Sequence, residues 1–240
     1  MARRAADSSA PAQPRAAIAG ATITDDGRFA QGTPIDTTIA NLRAFTSRHG
    51  KAALLYWDPP WGYGERGPES SKDWAIDPSQ HYPLIPDSQL RAFTRAAVKD
   101  CCSYNAVMAL WAPNSQVALA IDLIRDAGYD YTTAVTWNKI HDTGRHASCM
   151  SNGAVRPCSE VLLIAKRGGG LPLKSHAPQI SSVVIAQRTA HSAKPEIIRE
   201  WLTRAYDTDR RLELFSRTPR TGWLTWGNQA AAVPPATIAA

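Results

Sequence analysis

The chain has 240 residues, of which 44% are hydrophobic and 20% are charged, with a formal net charge of +6 and a pI near 9.3. This length suffices for one α/β domain with its own core, and the composition excludes a fibrous or largely disordered protein. No stretch approaches the roughly 18 apolar residues of a membrane-spanning helix, and the basic excess is compatible with an anionic partner such as nucleic acid.

The composition along the chain predicts one domain with loose ends. Residues 1–20 are rich in Ala, Arg, Pro and Ser and predict a disordered N-terminal arm. A transit peptide is an alternative, but the arm shows no amphipathic periodicity. We expect a single domain over 21–229 and a disordered tail over 230–240.

Strands and helices alternate within this domain, which predicts a mostly parallel sheet with helices on both faces. Apolar residues at helical spacing, such as Ile39, Leu42 and Phe45, indicate the helices. Asn114 or Ser115 is expected to cap the third helix. The helices are predicted over 35–49, 87–99, 114–127 and 195–205.

Short apolar runs predict the strands, and the run over 129–137 is also rich in β-branched and aromatic residues. Two polar stretches without periodicity, 62–82 and 141–157, predict loops, and long loops in compact domains are usually functional. The strands are predicted over 52–56, 105–111, 129–137, 160–165, 182–186, 212–215 and 223–226.

The four cysteines show neither a C-x-x-C pair nor the spacing of a disulfide framework. We therefore expect a reduced, cytoplasmic protein. A zinc site can be imagined in and after the second loop, but ligand pairs at structural-zinc spacing are missing, so we predict no metal. The side chains concerned are His141, His146, Cys149 and Cys158.

The first apolar strand breaks off into Asp58-Pro59-Pro60-Trp61. Because proline cannot continue a strand, Asp58 is expected at the carboxyl end of the strand, the edge where open α/β sheets bind ligands. We expect the nearby backbone carbonyls to form no further strand-to-strand hydrogen bonds. They would then line a rigid pocket rich in hydrogen-bond acceptors, with the flat ring of Trp61 on one side. Such a pocket suits an exocyclic amine on a flat heterocycle, whereas the bare alternative is a strand-ending turn with a surface acid.

Two lysines lie at the ends of predicted elements. Lys194 precedes the helix that opens with Pro195, and a helix N-terminus attracts a carboxylate or phosphate. The alternative is capping by Ser192 with Lys194 solvated. Lys139 follows a strand and could face a substrate phosphate or only solvent.

The C-terminal segment carries Glu213-Leu-Phe-Ser-Arg217 and then Gly-Trp-Leu-Thr-Trp-Gly-Asn228-Gln229. Arg217 and the two amides supply enough donors and acceptors to bind a ribose and an adenine edge. A basic surface turn and a polar exit from the last strand are the simpler alternative.

Together these segments resemble the MT-A70 family of S-adenosylmethionine-dependent adenine-N6 methyltransferases. The resemblance rests on Asp-Pro-Pro-Trp, Trp-x-Lys, His-Ser-x-Lys-Pro-Glu and Glu-Leu-Phe-x-Arg…Gly-Trp…Gly-Asn-Gln in this order, and it covers about residues 50–229. It implies a Rossmann-like class I methyltransferase fold with a permuted motif order, in which the catalytic motif precedes the cofactor-binding C-terminal segment. The chain is most similar in type to the short stand-alone members found in bacteria and their viruses.

The resemblance also implies residue roles. Lys194 corresponds to the residue that meets the methionine carboxylate of the cofactor, and Asp58 is also expected among the cofactor-binding residues. The sequence departs from the family after Arg217, where the turn is short and lacks a His-Asn pair, and the loop over 62–82 cannot be aligned residue by residue. The catalytic motif is Asp58, Pro59, Pro60 and Trp61; Glu213 and Arg217 fall on the ribose side, and Asn228 and Gln229 near the cofactor adenine.

For the substrate, we expect Trp61 or Tyr63 to stack on the base, while basic side chains from the two loops and a strand end contact phosphates. DNA is favoured over RNA, and a dimer with a second copy or a related chain fits the family. Alternatives are an RNA adenosine methyltransferase, a cytosine-N4 methyltransferase and a non-catalytic nucleic-acid-binding partner subunit, although such partners typically lose the intact acid-Pro-Pro-aromatic motif. The expected phosphate contacts are Lys72, Lys139, Arg145 and Arg156.

Overall fold

The computed structural model describes residues 35–62, 84–147, 154–189, 193–216 and 219–227. The predicted N-terminal arm, nearly all of the predicted loop over 62–82 and the C-terminal tail lie outside these residues. Within the described ranges, no helix combines the length and the apolar character needed to cross a membrane.

The described strands form one seven-stranded sheet. They are β1 (Ala52–Trp57), β2 (Cys102–Pro113), β3 (Asp130–Ile140), β4 (Ser159–Arg167), β5 (Val183–Gln187), β6 (Arg211–Leu214) and β7 (Leu224–Trp226). Their spatial order is β5-β3-β4-β2-β1-β6-β7. Among these strands only β4 runs antiparallel to its neighbours β2 and β3, so the prediction of a mostly parallel sheet is confirmed.

The reversed direction of β4 matters for the site. Because β4 runs against the other strands, its first residues lie at the same edge as the last residues of β2 and β3. Glu160 accordingly pairs in register with Pro113 of β2 and with Trp137 of β3. A side chain from the start of one strand thus joins those that follow the ends of the others.

The helices are α1 (Ile35–His49), α2 (Asp87–Phe93), α3 (Lys99–Cys101), α4 (Val117–Asp126) and α5 (Glu196–Ala205). The single helix predicted over 87–99 is divided, because a π-helical stretch over Thr94–Val98 separates α2 from α3. The predicted capping of the third helix is wrong: a 3₁₀ turn over Asn114–Gln116 precedes α4, and Asn114 instead donates its side-chain amide hydrogen to the Ser159 hydroxyl.

Apolar side chains cover both faces of the sheet. Alternate residues of a strand point to opposite faces, so Leu55 and Trp57 pack with α1 to α4, while Leu54 and Tyr56 lie on the face covered by α5. The predicted arrangement with helices on both faces is therefore confirmed. On the α5 side, the helix contributes Ile198 and Leu202 to the core.

Strand ends differ from the predicted ones by up to three residues. The largest change of conformation is at Phe215, which was expected in the strand but has a φ of 57° and leaves the sheet. Gly227 fits directly against this backbone, since a Cβ at that position would lie 2.8 Å from the Phe215 Cα. The end of β6 and the exit from β7 are thus held together.

Arg167, the last residue of β4, ties the strand to two helix ends. Its guanidinium donates hydrogen bonds to the carbonyl oxygens of Lys99, Cys102, Ser103 and Ala127, at distances of 2.6 to 3.2 Å. Carbonyls at helix ends have no partner within the helix, and a charged donor satisfies them strongly. Arg167 therefore fixes the end of β4 that lies opposite Glu160.

We predict that Arg167→Ala lowers the free energy of unfolding by about 2–4 kcal/mol, because four carbonyls lose a charged donor. Urea denaturation of the full chain measures this change. The control is Lys166→Ala, which removes an exposed cation from the neighbouring position of β4 and should change stability by less than about 0.5 kcal/mol. Equal effects of the two substitutions would contradict the assigned role of Arg167.

Candidate active site

The carboxyl edge of the sheet collects charged side chains from distant parts of the chain. Asp58 directly follows β1, Lys139 lies near the end of β3, and Glu160 is the second residue of the antiparallel β4. Lys194 lies just before α5 and reaches the same place, because its ammonium is 2.7 Å from an oxygen of Asp58. The predicted location of Asp58 at this edge is confirmed.

Backbone hydrogen bonds hold the turn after Asp58. The Pro59 carbonyl accepts the Trp61 N–H, and the Pro60 carbonyl accepts the Ile85 N–H, both at 2.9 Å. Ile85 approaches so closely that a Cβ at Gly62 would lie 2.3 Å from its carbonyl oxygen, so the glycine is required there. The expectation that these carbonyls stay out of backbone pairing is therefore wrong.

Trp61 does not form the open wall that the sequence suggested. Its side chain belongs to the core cluster on the face of α1 to α4, and the residue is only 4% exposed. In this arrangement the protein itself covers the ring, and a base has little of it to stack on. Tyr63, the other predicted stacking residue, lies outside the described residues.

Lys194 and Lys139 share the carboxylate of Glu160. The Lys194 ammonium lies 3.1 Å from Oε2 of Glu160, and the Lys139 ammonium lies 2.5 Å from Oε1. With the contact to Asp58, these groups form a chain of alternating charge: Lys139, Glu160, Lys194 and Asp58. The two lysine side chains are only 9% and 11% exposed, so neither is the solvated end that was considered from the sequence.

The pKa values reflect this pairing. Burial raises the pKa of Glu160, but the charges of Lys194 and Lys139 outweigh burial and hold the pKa below its usual range. Burial lowers the pKa of Lys194, but Asp58 and Glu160 raise it far more and leave it well above its usual range. Both groups are therefore charged at neutral pH.

A second set of ion pairs lies beside the first and involves Glu213 of β6. Arg199 of α5 donates one hydrogen bond to Oε1 of Glu213 at 3.0 Å and another to Glu196 at 2.5 Å. Arg220 also contacts Glu196, at 3.3 Å. Burial raises the pKa of Glu213, and the charge of Arg199 opposes this shift only in part.

Two buried aromatic residues connect these ion-pair sets. The Trp111 indole N–H donates to the Tyr56 hydroxyl at 2.7 Å. The ammonium of Lys194 lies 5.8 Å from the centre of the Trp111 ring, and the guanidinium of Arg199 lies 5.3 Å from the centre of the Tyr56 ring. Both distances allow cation–π attraction, so α5 and the residues just before it lie on a continuous aromatic and charged surface.

The predicted phosphate contacts fall in different surroundings. Arg145 and Arg156 are exposed, and Arg145 lies in a turn closed by the bridge between Ile140 and His146. Lys139 is instead paired with Glu160. Other predicted site residues lie outside the described part of the chain: Lys72, Arg217, Asn228 and Gln229.

The chain was compared with known proteins. A protein-family model described as MT-A70 matches residues 53–229. The chain belongs to the MT-A70 family. The resemblance drawn from the motifs is thus confirmed, and with it the predicted enzyme class, an adenine-N6 methyltransferase.

Two relatives are similar to this chain over about three quarters of its length. The chain is 25% identical over 191 residues to "Type II methyltransferase M.MunI" from Mycoplasma sp, and the match covers 74% of this chain and 77% of that protein. It is 26% identical over 188 residues to "N(6)-adenosine-methyltransferase MT-A70-like protein" from Drosophila melanogaster, which covers 75% of this chain but only 27% of that protein.

Two of the charged residues at the carboxyl edge of the sheet, Glu160 and Arg199, were not predicted from the sequence. Glu160 had been interpreted only as the start of a strand, although a carboxylate that opens an otherwise apolar run was a usable signal. Arg199 sits beside the apolar Ile198 on the buried side of an amphipathic helix, and it is only 8% exposed. A buried charge needs a partner, which here comes from a strand that follows the helix.

The described residues fit S-adenosylmethionine, the methyl donor that this family uses. An ammonium has three N–H donors; Lys194 donates one to Asp58 and forms an ion pair with Glu160, which leaves capacity for a ligand carboxylate. Glu213 has one oxygen, Oε2, that is buried without a hydrogen-bond partner among the described residues. A hydroxyl-bearing ligand can satisfy such an acceptor.

We predict that Glu160→Gln lowers the free energy of unfolding by about 3 kcal/mol at pH 7, because two poorly exposed cations lose their shared anion. The pKa of Glu160 is lower in the folded than in the unfolded chain. Its contribution is therefore complete above about pH 4.3 and is lost as the pH falls through the lowered folded value. Urea denaturation of the unmodified and Glu160→Gln proteins should show that the difference in their free energies of unfolding becomes smaller as the pH falls below about 4.3.

Asp122→Asn is the matched control, since Asp122 pairs with Arg91 but its side chain is 43% exposed. This exposed ion pair should contribute less than about 1 kcal/mol to the free energy of unfolding. A Glu160→Gln protein as stable as the control at pH 7 would disprove the role of Glu160 as the shared anion.

Proposed function

We propose that this enzyme transfers a methyl group from S-adenosylmethionine to the N6 amine of adenine in DNA. The observation that carries the proposal is the 2.7 Å ion pair between Lys194 and Asp58. It brings together, across 136 residues of sequence, the motif expected to bind the target amine and the motif expected to bind the cofactor. The chemistry is assigned to one domain, expected over residues 21–229.

The target amine needs help to react. The lone pair of adenine N6 is delocalised into the ring, so the nitrogen is a poor nucleophile. The Asp58 carboxylate and the Pro59 carbonyl can each accept one N6–H, which draws the nitrogen toward a pyramidal geometry and localises its lone pair. The Pro59 carbonyl already accepts one hydrogen bond, from Trp61, and a carbonyl oxygen can accept two.

When bound, S-adenosylmethionine supplies an electrophilic sulfonium methyl group. Lys194 would hold its methionine carboxylate, Glu213 would accept from its ribose, and Arg217, Asn228 and Gln229 are assigned to the ribose and adenine by the family motifs. The protein contributes position and charge, and no covalent enzyme intermediate is needed.

DNA is the preferred polymer in this proposal. The match to the Mycoplasma relative extends over 77% of that protein, which supports kinship with the short bacterial members, whereas the match to the Drosophila relative covers 27%. A base in a duplex must be flipped out to reach the sheet edge. The exposed Arg145 and Arg156 are the described candidates for phosphate contact, and dimerisation would extend this surface.

The thiols of Cys101 and Cys102 are free of disulfide bonds, which suits a reducing, cytoplasmic setting.

We predict that Asp58→Ala abolishes methyl transfer, with a loss of at least about a hundredfold, because the amine loses its charged acceptor. Cofactor affinity should fall much less in Asp58→Ala than in Lys194→Ala, where we expect a loss of at least about tenfold. Initial rates with labelled cofactor and calorimetric titration with S-adenosylhomocysteine measure the two effects.

Matched controls lie at the opposite edge of the sheet. Asp130→Asn at the start of β3 and Lys51→Ala just before β1 change exposed charges and should leave both measurements unchanged. Retained turnover in purified Asp58→Ala protein would overturn the mechanism.

The base and the polymer are tested together. The protein is incubated with labelled S-adenosylmethionine and separate DNA and RNA pools, which are then digested to nucleosides. We expect label in N6-methyldeoxyadenosine. Label in N6-methyladenosine from the RNA pool alone would replace DNA by RNA, label in N4-methyldeoxycytidine would overturn the base assignment, and no label in either pool would favour a non-catalytic partner subunit.

A further inference from the structure

Glu213 is a buried carboxylate that the protein satisfies on one side only. The residue is 9% exposed, and its Oε1 accepts a hydrogen bond from Arg199. Its Oε2 is buried and has no hydrogen-bond partner in the described ranges. Buried polar atoms are almost always paired, so an unpaired carboxylate oxygen calls for an explanation.

The contact with Arg199 differs from a structural clamp. Arginine and a carboxylate commonly form two parallel hydrogen bonds, which would occupy both carboxylate oxygens. Here one terminal nitrogen of Arg199 donates to Glu196 and the other to Glu213, so the contact occupies only one oxygen of Glu213. The Nε of Arg199 is buried and has no hydrogen-bond partner in the described ranges. The guanidinium of Arg199 also lies over the Tyr56 ring, at a distance that allows cation–π attraction.

Glu213 lies next to the carboxyl end of β6, close to the ligand-binding edge of the sheet. Glu213 precedes Leu214, the last residue of β6, and it pairs in register with Tyr56, two residues before Asp58. A carboxylate held at one oxygen keeps a fixed orientation at the other. Without Arg199, the side chain of Glu213 would be free to rotate and would also lose the charge that opposes its neutralisation.

We propose that Arg199 is a positioning residue for cofactor binding: it fixes Oε1 of Glu213 so that Oε2 accepts a ribose hydroxyl of S-adenosylmethionine. This inference rests on the proposed function and adds a residue that the family motifs do not include. Arg199 acts through Glu213 and does not touch the cofactor itself.

The test compares two ligands by calorimetric titration of the full chain. S-adenosylhomocysteine has both ribose hydroxyls, and its 2′,3′-dideoxy analogue has neither. We expect Arg199→Ala to weaken the binding of S-adenosylhomocysteine by about tenfold or more, which corresponds to the loss of one charge-assisted hydrogen bond. Binding of the dideoxy analogue should change little. Glu213→Gln combined with Arg199→Ala should cause little further loss, because both act on the same contact.

Two variants separate positioning from folding. Arg204→Ala removes an exposed arginine from the same helix and should leave both affinities and the thermal unfolding temperature unchanged. Arg199→Lys keeps a cation near Glu213 and should recover part of the preference for the hydroxylated ligand, and it provides the measurement if Arg199→Ala does not fold.

The outcomes are distinct. If the Arg199 variants lower the affinity for both ligands equally, or for neither, the positioning role is wrong while the proposed cofactor stands. If the unmodified protein fails to bind S-adenosylhomocysteine, the proposed cofactor is wrong and the role of Arg199 falls with it.

Discussion

The site depends on one ammonium group shared by two carboxylates. Lys194 lies 2.7 Å from Asp58 and 3.1 Å from Glu160, and its side chain is almost fully covered. Removing such a cation from water is costly, and only opposite charges at close range offset that cost. Without Lys194, two carboxylates would face each other at one sheet edge. The ion pair therefore fixes how the strand ends and the segment before α5 can be arranged.

This arrangement requires a sheet with one reversed strand. In a wholly parallel sheet, the start of β4 would lie at the far edge, and Glu160 would not reach Lys139 or Lys194. The reversal brings an acid from the beginning of a strand to the ends of its neighbours. Arg167 holds the other end of the same strand through four backbone carbonyls. The chain of alternating charges therefore depends on the antiparallel direction of β4.

Much of this structure follows from local sequence signals. Apolar spacing predicted α1, Pro195 indicated the start of α5, short apolar runs predicted the strands, and Pro59 and Pro60 placed Asp58 at a strand end. The burial of Trp61 and the contacts of Glu160 and Arg199 could not be predicted in this way, because each depends on residues far along the chain. Arg199, for example, has its partner in β6, after the helix has ended. Helical periodicity identifies its buried face but not the carboxylate it meets.

The corrected geometry of the proline turn strengthens the proposed chemistry. The sequence suggested that the carbonyls of Pro59 and Pro60 would be left unpaired, but each accepts a backbone N–H. A carbonyl that already accepts one hydrogen bond has a fixed direction, and its second lone pair points to a defined place. An acceptor for the adenine amine must be oriented before the substrate arrives, since reorientation during the reaction would cost free energy. In the proposed reaction, the backbone N–H of Trp61 would supply that orientation to the Pro59 carbonyl, and the buried indole would anchor the turn instead of stacking on the base.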